Sequence, residues 1–256
     1  ADPAPVMDPA RSAHVRILLV EDTPVNREVA TGMLEVLGYG VHAVENGRLA
    51  VEAVAQQPFD LILMDCQMPE MDGYTATATI RRQETTAADR RHLPIIALTA
   101  NAMEGDRARC LAAGMDDYLA KPFTVAQLQP LLTQWLAPMP PRTSEPDPAP
   151  ASTEEPALEA GIDKTVWDAI LSLQRPGQPD ILTRVLTTYL DDSRLLVEHI
   201  RAAVQAHDPV ALAQAAHRLK SSSAQLGVLA TAARCKELET LGRLARIDEA
   251  AHLLSQ

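Results

Sequence analysis

The sequence predicts two domains: an α/β doubly wound, five-stranded parallel sheet over residues 15–136, then an all-α antiparallel helical bundle over residues 162–256. Three observations carry this. Short apolar runs alternate with helical patterns through the first half, as strands and crossover helices do in a parallel sheet. A stretch at 137–161, with Pro138, Pro140, Pro141, Pro146, Pro148, Pro150 and Pro156, then breaks the pattern. Its small and acidic residues cannot build a core, so it reads as an extended linker. Beyond it only helical periodicity remains.

Taken in order, residues 1–14 form a Pro/Ala-rich leader, which reads as linker and makes the chain a cut from a longer protein. The apolar runs Ile17–Val20, Val41–Val44, Leu61–Met64, Ile95–Leu98 and Tyr118–Leu119 are the expected strands. They are nearly continuously apolar, which suits a sheet covered on both faces. Helices are expected between them at Pro24–Leu37, Arg48–Gln56, Tyr74–Arg82, Met103–Ala113 and Val125–Leu136, with Gly38, Gly40 and Gly114 where helices stop. In the second half, helices are expected near Asp163–Leu173, Asp180–Ala206, Asp208–Leu226, Val228–Leu244 and Asp248–Ser255. Asp208-Pro209 starts one of them, with Asp as N-cap and Pro at the first position. Gly227 and Gly242 mark possible breaks.

The composition narrows the function. Hydrophobic residues make up 46% and aromatics only 3%, so the cores are Leu, Val, Ile, Ala and Met. A net charge of -11 argues against nucleic-acid binding, whose footprint is a basic face. Cys66, Cys110 and Cys235 show no paired spacing, which fits neither a disulfide framework nor a zinc site and suits a reducing compartment. No run reaches the roughly 20 apolar residues of a membrane span, so no membrane contact is expected of this segment.

In a doubly wound sheet, ligands bind beyond the carboxyl ends of the strands. Glu21 and Asp22 follow the first strand, Asp65 the third, Thr99 the fourth and Lys121 the fifth. Three carboxylates at one place repel each other, and a hard divalent cation, Mg2+ or Mn2+, relieves this through oxygen ligands. Asp65 then attacks a phosphoryl group, with Lys121 and the Thr99 hydroxyl suited to neutralise its oxygens. Each residue alone has an ordinary structural explanation; the set of five favours the chemical one.

The words Ile17-Leu-Leu-Val-Glu-Asp22, Leu61-Ile-Leu-Met-Asp-Cys-Gln-Met-Pro-Glu-Met-Asp-Gly73, Pro94-Ile-Ile-Ala-Leu-Thr-Ala100 and Asp117-Tyr-Leu-Ala-Lys-Pro122 resemble a response-regulator receiver domain of flavodoxin-like fold, over residues 15–136. The resemblance implies that Asp65 is the phosphoacceptor. It makes Glu21, Asp22, Asp65 and the backbone carbonyl of Gln67 the metal ligands. Thr99 and Lys121 contact the phosphoryl group, and Tyr118 is the aromatic switch residue. The family often has Asp-Asp where this chain has Glu21-Asp22. A haloacid-dehalogenase-like phosphatase also uses an aspartate nucleophile, but wants a second Asp where Gln67 stands.

The second chemical residue is His217. Leu212, Leu219 and Leu226 mark the buried stripe of its helix. His217 lies about 160° from Leu219 around the axis, and is expected to face solvent. Ala213, Gln214, Lys220, Ser221 and Ala224 share its face and leave room for a partner protein. The segment His217-Arg-Leu-Lys-Ser-Ser-Ser-Ala-Gln-Leu-Gly227 resembles the histidine-containing phosphotransfer (HPt) domain, with Ser221 where that family often has Gly. By that resemblance His217 is the phosphocarrier, Lys220 and Gln225 support it, and Gly227 permits close packing.

A receiver followed by an HPt domain resembles the C-terminal part of a hybrid sensor histidine kinase. The expected function is a two-component phosphorelay. A histidine kinase domain, upstream in the parent chain, phosphorylates Asp65. His217 exchanges the group and passes it to a downstream response-regulator receiver. No Gly-rich ATP lid is visible, so this piece is not expected to use ATP by itself. The expected location is cytoplasmic, on a parent chain anchored in the inner membrane. The alternatives are a reverse-flow phosphate sink or phosphatase, and an interaction module independent of phosphate.

Overall fold

The structure is a computed structural model that describes residues 15–86, 92–99, 104–136, 162–175 and 180–255. The expected leader (1–14) and linker (137–161) lie outside the described residues. The first half contains strands β1 (Arg16–Val20), β2 (Gly40–Val44), β3 (Leu61–Asp65), β4 (Ile95–Thr99) and β5 (Asp117–Ala120). They pair in parallel in the order β2-β1-β3-β4-β5. Helices α1 (Pro24–Val36), α2 (Gly47–Gln56), α3 (Gly73–Thr86), α4 (Glu104–Ala113) and α5 (Val125–Leu136) make the crossovers.

The side chains of β3 and β4 are buried throughout, and so are those of β1 after Arg16. One core lies on each face of the sheet, one around Ile17, Leu61 and Ile96, the other around Leu18, Ile62 and Ile95. The expectation of strands covered on both faces holds for these three. It fails for β2, an edge strand whose positions are exposed or half-buried, and for β5, half-buried along its length. An edge has one neighbour, so its flank stays wet. Gly38 and Gly114 adopt φ of 88° and 94°, the left-handed region in which glycine ends a helix without strain. Gly40 instead opens β2.

The second half is helical: α6 (Lys164–Leu171), α7 (Ile181–Gln205), α8 (Pro209–Gln225), α9 (Leu229–Arg243) and α10 (Ile247–Leu254). Asp163, Asp180 and Asp208 cap α6, α7 and α8, each accepting a hydrogen bond from a first-turn N–H. Leu196, Ile200, Leu212, Leu219, Cys235 and Leu238 fill the core of the bundle. Gly227 ends α8 with φ 68°, where an added Cβ would stand 2.9 Å from that of Asp163. Gly242 does not break its helix. It lies inside α9 because a Cβ there would meet the backbone nitrogen of Ala213 at 2.8 Å, so glycine is what lets α9 press against α8.

The two halves are docked. Leu173 and Ile181 seat against Gly32 of α1, and Ile170, Val185 and Leu226 join the core that runs from the sheet through Val25, Val29 and Met33. Around this apolar seam, Arg184 pairs with Glu28 at 2.6 Å and Arg175 donates to the Glu35 carbonyl at 2.7 Å.

Candidate functional site

Each strand end delivers its expected residue to one pocket. Glu21, Asp22 and Asp65 are buried, and each offers an oxygen within 4.8 Å of the others'. Lys121 reaches between them, 2.6 Å from Glu21 Oε2 and 2.6 Å from Asp65 Oδ2. Thr99 is buried at the end of β4, and its carbonyl accepts the Lys121 backbone N–H at 2.7 Å, which ties the lysine loop to the strand. The Gln67 N–H donates to Asp65 Oδ1 at 3.1 Å. Gly73 packs so tightly that a Cβ there would stand 2.1 Å from the Asp65 carbonyl oxygen. Tyr118 is half-buried on β5, packed against the core under α3 and α4.

One ammonium cannot neutralise three carboxylates. Burial pushes the Asp65 carboxyl up to about 7 against the pull of Lys121, with Glu21 and Asp22 adding to the rise. Asp22 rises to about 6 for the same first reason, burial, with Glu21 adding to it. Lys121 loses by burial but gains more from Asp65 and Glu21, and is held protonated. Asp22 Oδ2 is buried without a hydrogen-bond partner. A buried carboxylate oxygen with no hydrogen bond, beside two more carboxylates, fits a small, hard divalent cation. Glu21 is the most committed of the three: its Oε1 accepts from Asn26 at 3.1 Å while Lys121 holds Oε2.

His217 does not face solvent. Its side chain is 14% exposed and lines, with Asp65, Thr99 and Lys121, a cleft of about 210 Å³ between the two halves. The sequence pattern placed it correctly, away from Leu219 and the bundle core; the α/β half of the same chain covers that face. Ser221, on the same face, accepts from Asn26 Nδ2 at 2.8 Å. His217 Nδ1 lies 2.8 Å from Glu239 Oε1, and Lys220 lies 2.6 Å from Glu239 Oε2. Arg243 also pairs with Glu239 and reaches the Gln67 side chain at 3.4 Å. Although burial works the other way, hydrogen bonds from His217 and Lys220 pull Glu239 down to about 2. It is therefore ionised at neutral pH, and His217 Nδ1 is the donor.

Two sequence-derived residues stand apart from the cleft. Gln225 is buried eight positions further along α8, and Gly227 meets α6. Three residues that the sequence did not flag belong to the site: Glu239, Arg243 and Asn26. The packing of α9 against α8, close enough at Gly242 to exclude a Cβ, brings Glu239 beside His217.

The response regulator receiver domain model matches residues 17–133, and the Hpt domain model matches residues 184–256. The chain is a receiver domain followed by an Hpt domain. The pairing makes it a phosphorelay module. The sensor protein GacS of Pseudomonas syringae pv. syringae is 38% identical over 239 residues, 93% of this chain and 26% of that protein. The signal transduction histidine-protein kinase BarA of Shigella flexneri is 31% identical over 236 residues, 92% of this chain and 24% of that one. The receiver–Hpt chain thus spans about a quarter of the length of these curated relatives. Among solved structures, the receiver domain of sensor histidine kinase PA1611 from Pseudomonas aeruginosa is 53% identical. It covers 48% of this chain and 97% of its own, with a TM-score of 0.44. No helix among the described residues is long and apolar enough to cross a membrane.

Proposed function

We propose that Asp65 and His217 exchange a phosphoryl group across the cleft of the docked chain. The observation that carries this is that both side chains line one cleft together with Thr99 and Lys121. Residues 15–136 act as the receiver and 162–256 as the Hpt domain. Glu21, Asp22, Asp65 and the Gln67 carbonyl are the residues that would hold Mg2+. Bound there, the cation supplies positive charge to the carboxylates and to the equatorial oxygens of the transferring group.

The chain's own groups account for the rest. Glu239 accepts the Nδ1 proton of His217, which fixes the tautomer and leaves the Nε2 lone pair as the nucleophile. As Nε2 bonds to phosphorus, the P–O bond to Asp65 breaks and its electron pair returns to the Asp65 carboxylate; the ring then carries positive charge, which the Glu239 carboxylate balances. In the step back to the receiver, an Asp65 carboxylate oxygen bonds to phosphorus and the P–Nε2 bond breaks. Its electron pair returns to Nε2, restoring neutral imidazole with the proton still on Nδ1. Lys121 and the Thr99 hydroxyl donate to the phosphoryl oxygens in either direction. The hydrogen bonds from His217 and Lys220 keep Glu239 ionised.

The phosphoryl group reaches Asp65 from a histidine kinase domain and leaves His217 for the receiver of a separate response regulator. This reading sets the module in the cytoplasm, on a parent chain anchored in the inner membrane. The test is phosphorylation of the chain with Mg2+ and a small acyl-phosphate donor, with label mapped by mass spectrometry at neutral pH. Wild type is expected to carry label on both residues, His217→Gln on Asp65 alone, and Asp65→Asn on neither. Label on His217 in the Asp65→Asn chain would break the reading.

A further inference from the structure

Arg218, next to the phosphocarrier, takes no part in the exchange described above, yet its guanidinium crosses the domain junction. Its Nε stands 3.1 Å from Asp22 Oδ2, one of the three pocket carboxylates. Neither atom has a hydrogen-bond partner, so charge rather than a directed bond holds the contact. On its other side, Arg218 Nη2 lies 4.0 Å from Asp192 Oδ1 of α7. Asp192 Oδ2 is buried and also without a partner. The guanidinium thus sits between two acceptors, one in each domain, and bonds fully with neither. Counting Glu21, Asp22 and Asp65 against Lys121, the pocket carries two net negative charges. Arg218 offsets one of them; a divalent cation held through Asp22 would offset both and would draw on the same carboxylate.

We propose that Arg218 is a positioning residue that makes docking of the Hpt domain and divalent-cation binding in the receiver pocket compete for Asp22. Where Arg218 holds Asp22, its guanidinium supplies positive charge that a cation would otherwise bring there. When Mg2+ occupies the pocket, the guanidinium withdraws to Asp192, whose Oδ2 is open to it, and one tie across the junction is lost. The coupling is reciprocal: the factor by which docking weakens Mg2+ binding is the factor by which Mg2+ weakens docking. Loading of the receiver with cation then favours release of the Hpt domain toward another partner. This rests on the cation site proposed above.

The test is calorimetric titration of Mg2+ into the whole chain, with no phosphoryl donor present. Arg218→Gln keeps the side-chain bulk and removes the charge. It is expected to bind Mg2+ about fivefold tighter than wild type, the size of an ion pair worth about 1 kcal/mol. Gly32→Leu, which fills the docking seam, should give the same gain and a larger radius of gyration by small-angle scattering. The double variant should gain nothing more, because Arg218 acts only when docked. Asp192→Asn, which weakens the seat for withdrawal, should bind Mg2+ a few-fold more weakly than wild type, an effect that loss of packing would not produce. Equal affinities in wild type and Arg218→Gln, with binding abolished by Asp22→Asn, would overturn the competition and leave the cation site standing. A gain from Arg218→Gln that persists in the Gly32→Leu background would also overturn it. Mg2+ binding indifferent to Asp22→Asn would overturn the cation site and the competition together.

Discussion

The two proposed phosphoryl seats of this module are built with opposite electrostatics. Around Asp65, three buried carboxylates share one lysine. Around His217, one buried carboxylate is served by Lys220, Arg243 and the imidazole itself. The receiver pocket is short of positive charge, which the proposed cation would bring from outside. The Hpt niche carries its own cations and needs only a neighbour that brings chemistry. The difference explains how a helix can carry phosphate without catalytic apparatus: its one task is to hold a nitrogen lone pair in the right tautomer beside a pocket that does the rest.

The sharpest way to break this comparison is to remove the lysine from each side. Lys121→Met leaves the three carboxylates with no ammonium, a loss on the scale of breaking a buried ion pair, about 3 kcal/mol. Lys220→Met leaves Glu239 with His217 and Arg243, and should cost about 1 kcal/mol. Urea unfolding at pH 8 with chelator present measures both. Equal losses would mean that the two seats are not electrostatically distinct. Magnesium should restore part of the stability of Lys121→Met and none of that of Lys220→Met.

The pH dependence separates the seats next. Asp65 and Asp22 have folded-state values raised to about 7 and about 6. A raised value adds stability that is full below the unfolded value near 4 and is lost as pH rises through the folded value. The cation-free receiver should therefore gain on the order of 2 kcal/mol on going from pH 8 to pH 5. Mg2+ should flatten that slope, since it stabilises the ionised carboxylates. Glu239 goes the other way. Its value is depressed to about 2, so its contribution is present above its ordinary carboxylate value and lost as pH falls from about 4 toward 2. Thermal unfolding from pH 8 to pH 3, with and without chelator, should show both limbs, and Asp65→Asn should remove much of the first.

The receiver seat was legible in the sequence and the Hpt niche only partly so, for a physical reason. Glu21, Asp22, Asp65, Thr99 and Lys121 each lie at or just past the end of an apolar strand, and parallel strands bring all such ends to one edge of the sheet. Sequence position alone therefore specifies their meeting. The helical seat depends on which faces of α8 and α9 meet and on what covers them. Glu239 lies 22 residues from His217 in a stretch of alternating charge, and the close approach that joins them is set by Gly242. The cover over His217 comes from α1 and the strand ends of the other domain. An amphipathic pattern tells which side of a helix leaves its own core, but not whether water or another domain lies there. The same holds for Gln225, whose position in the motif marked it while its burial sets it apart from the cleft.

Glu239→Gln probes the niche without emptying it. The amide keeps the size, but it no longer compels a proton onto Nδ1 or balances the charge of the phosphorylated ring. Transfer from Asp65 to His217 should slow about tenfold, the usual scale for a group that orients a reactive imidazole, while acyl-phosphate labelling of Asp65 stays at the wild-type rate. Rapid-quench measurement of the two labels checks this. An equal slowing of both would place the effect in the receiver instead.

The smallest expected effect lies in the seam that brings the seats together. An alanine Cβ at Gly32 would stand 3.1 Å from Ile181 Cδ1, the mobile end of a side chain that can give by a few tenths of an ångström. In an exposed helix, Gly→Ala also gains roughly 1 kcal/mol in propensity. Gly32→Ala should thus raise the stability of the receiver slightly while leaving docking and the Asp65-to-His217 rate within about twofold of wild type. Gly32→Leu, with three further carbons against Leu173 and Ile181, should slow that transfer and make it depend on protein concentration as His217 is forced to find another chain's Asp65. A rate that is independent of concentration in both variants, and equal to wild type, would show that the seam does not hold the two seats together.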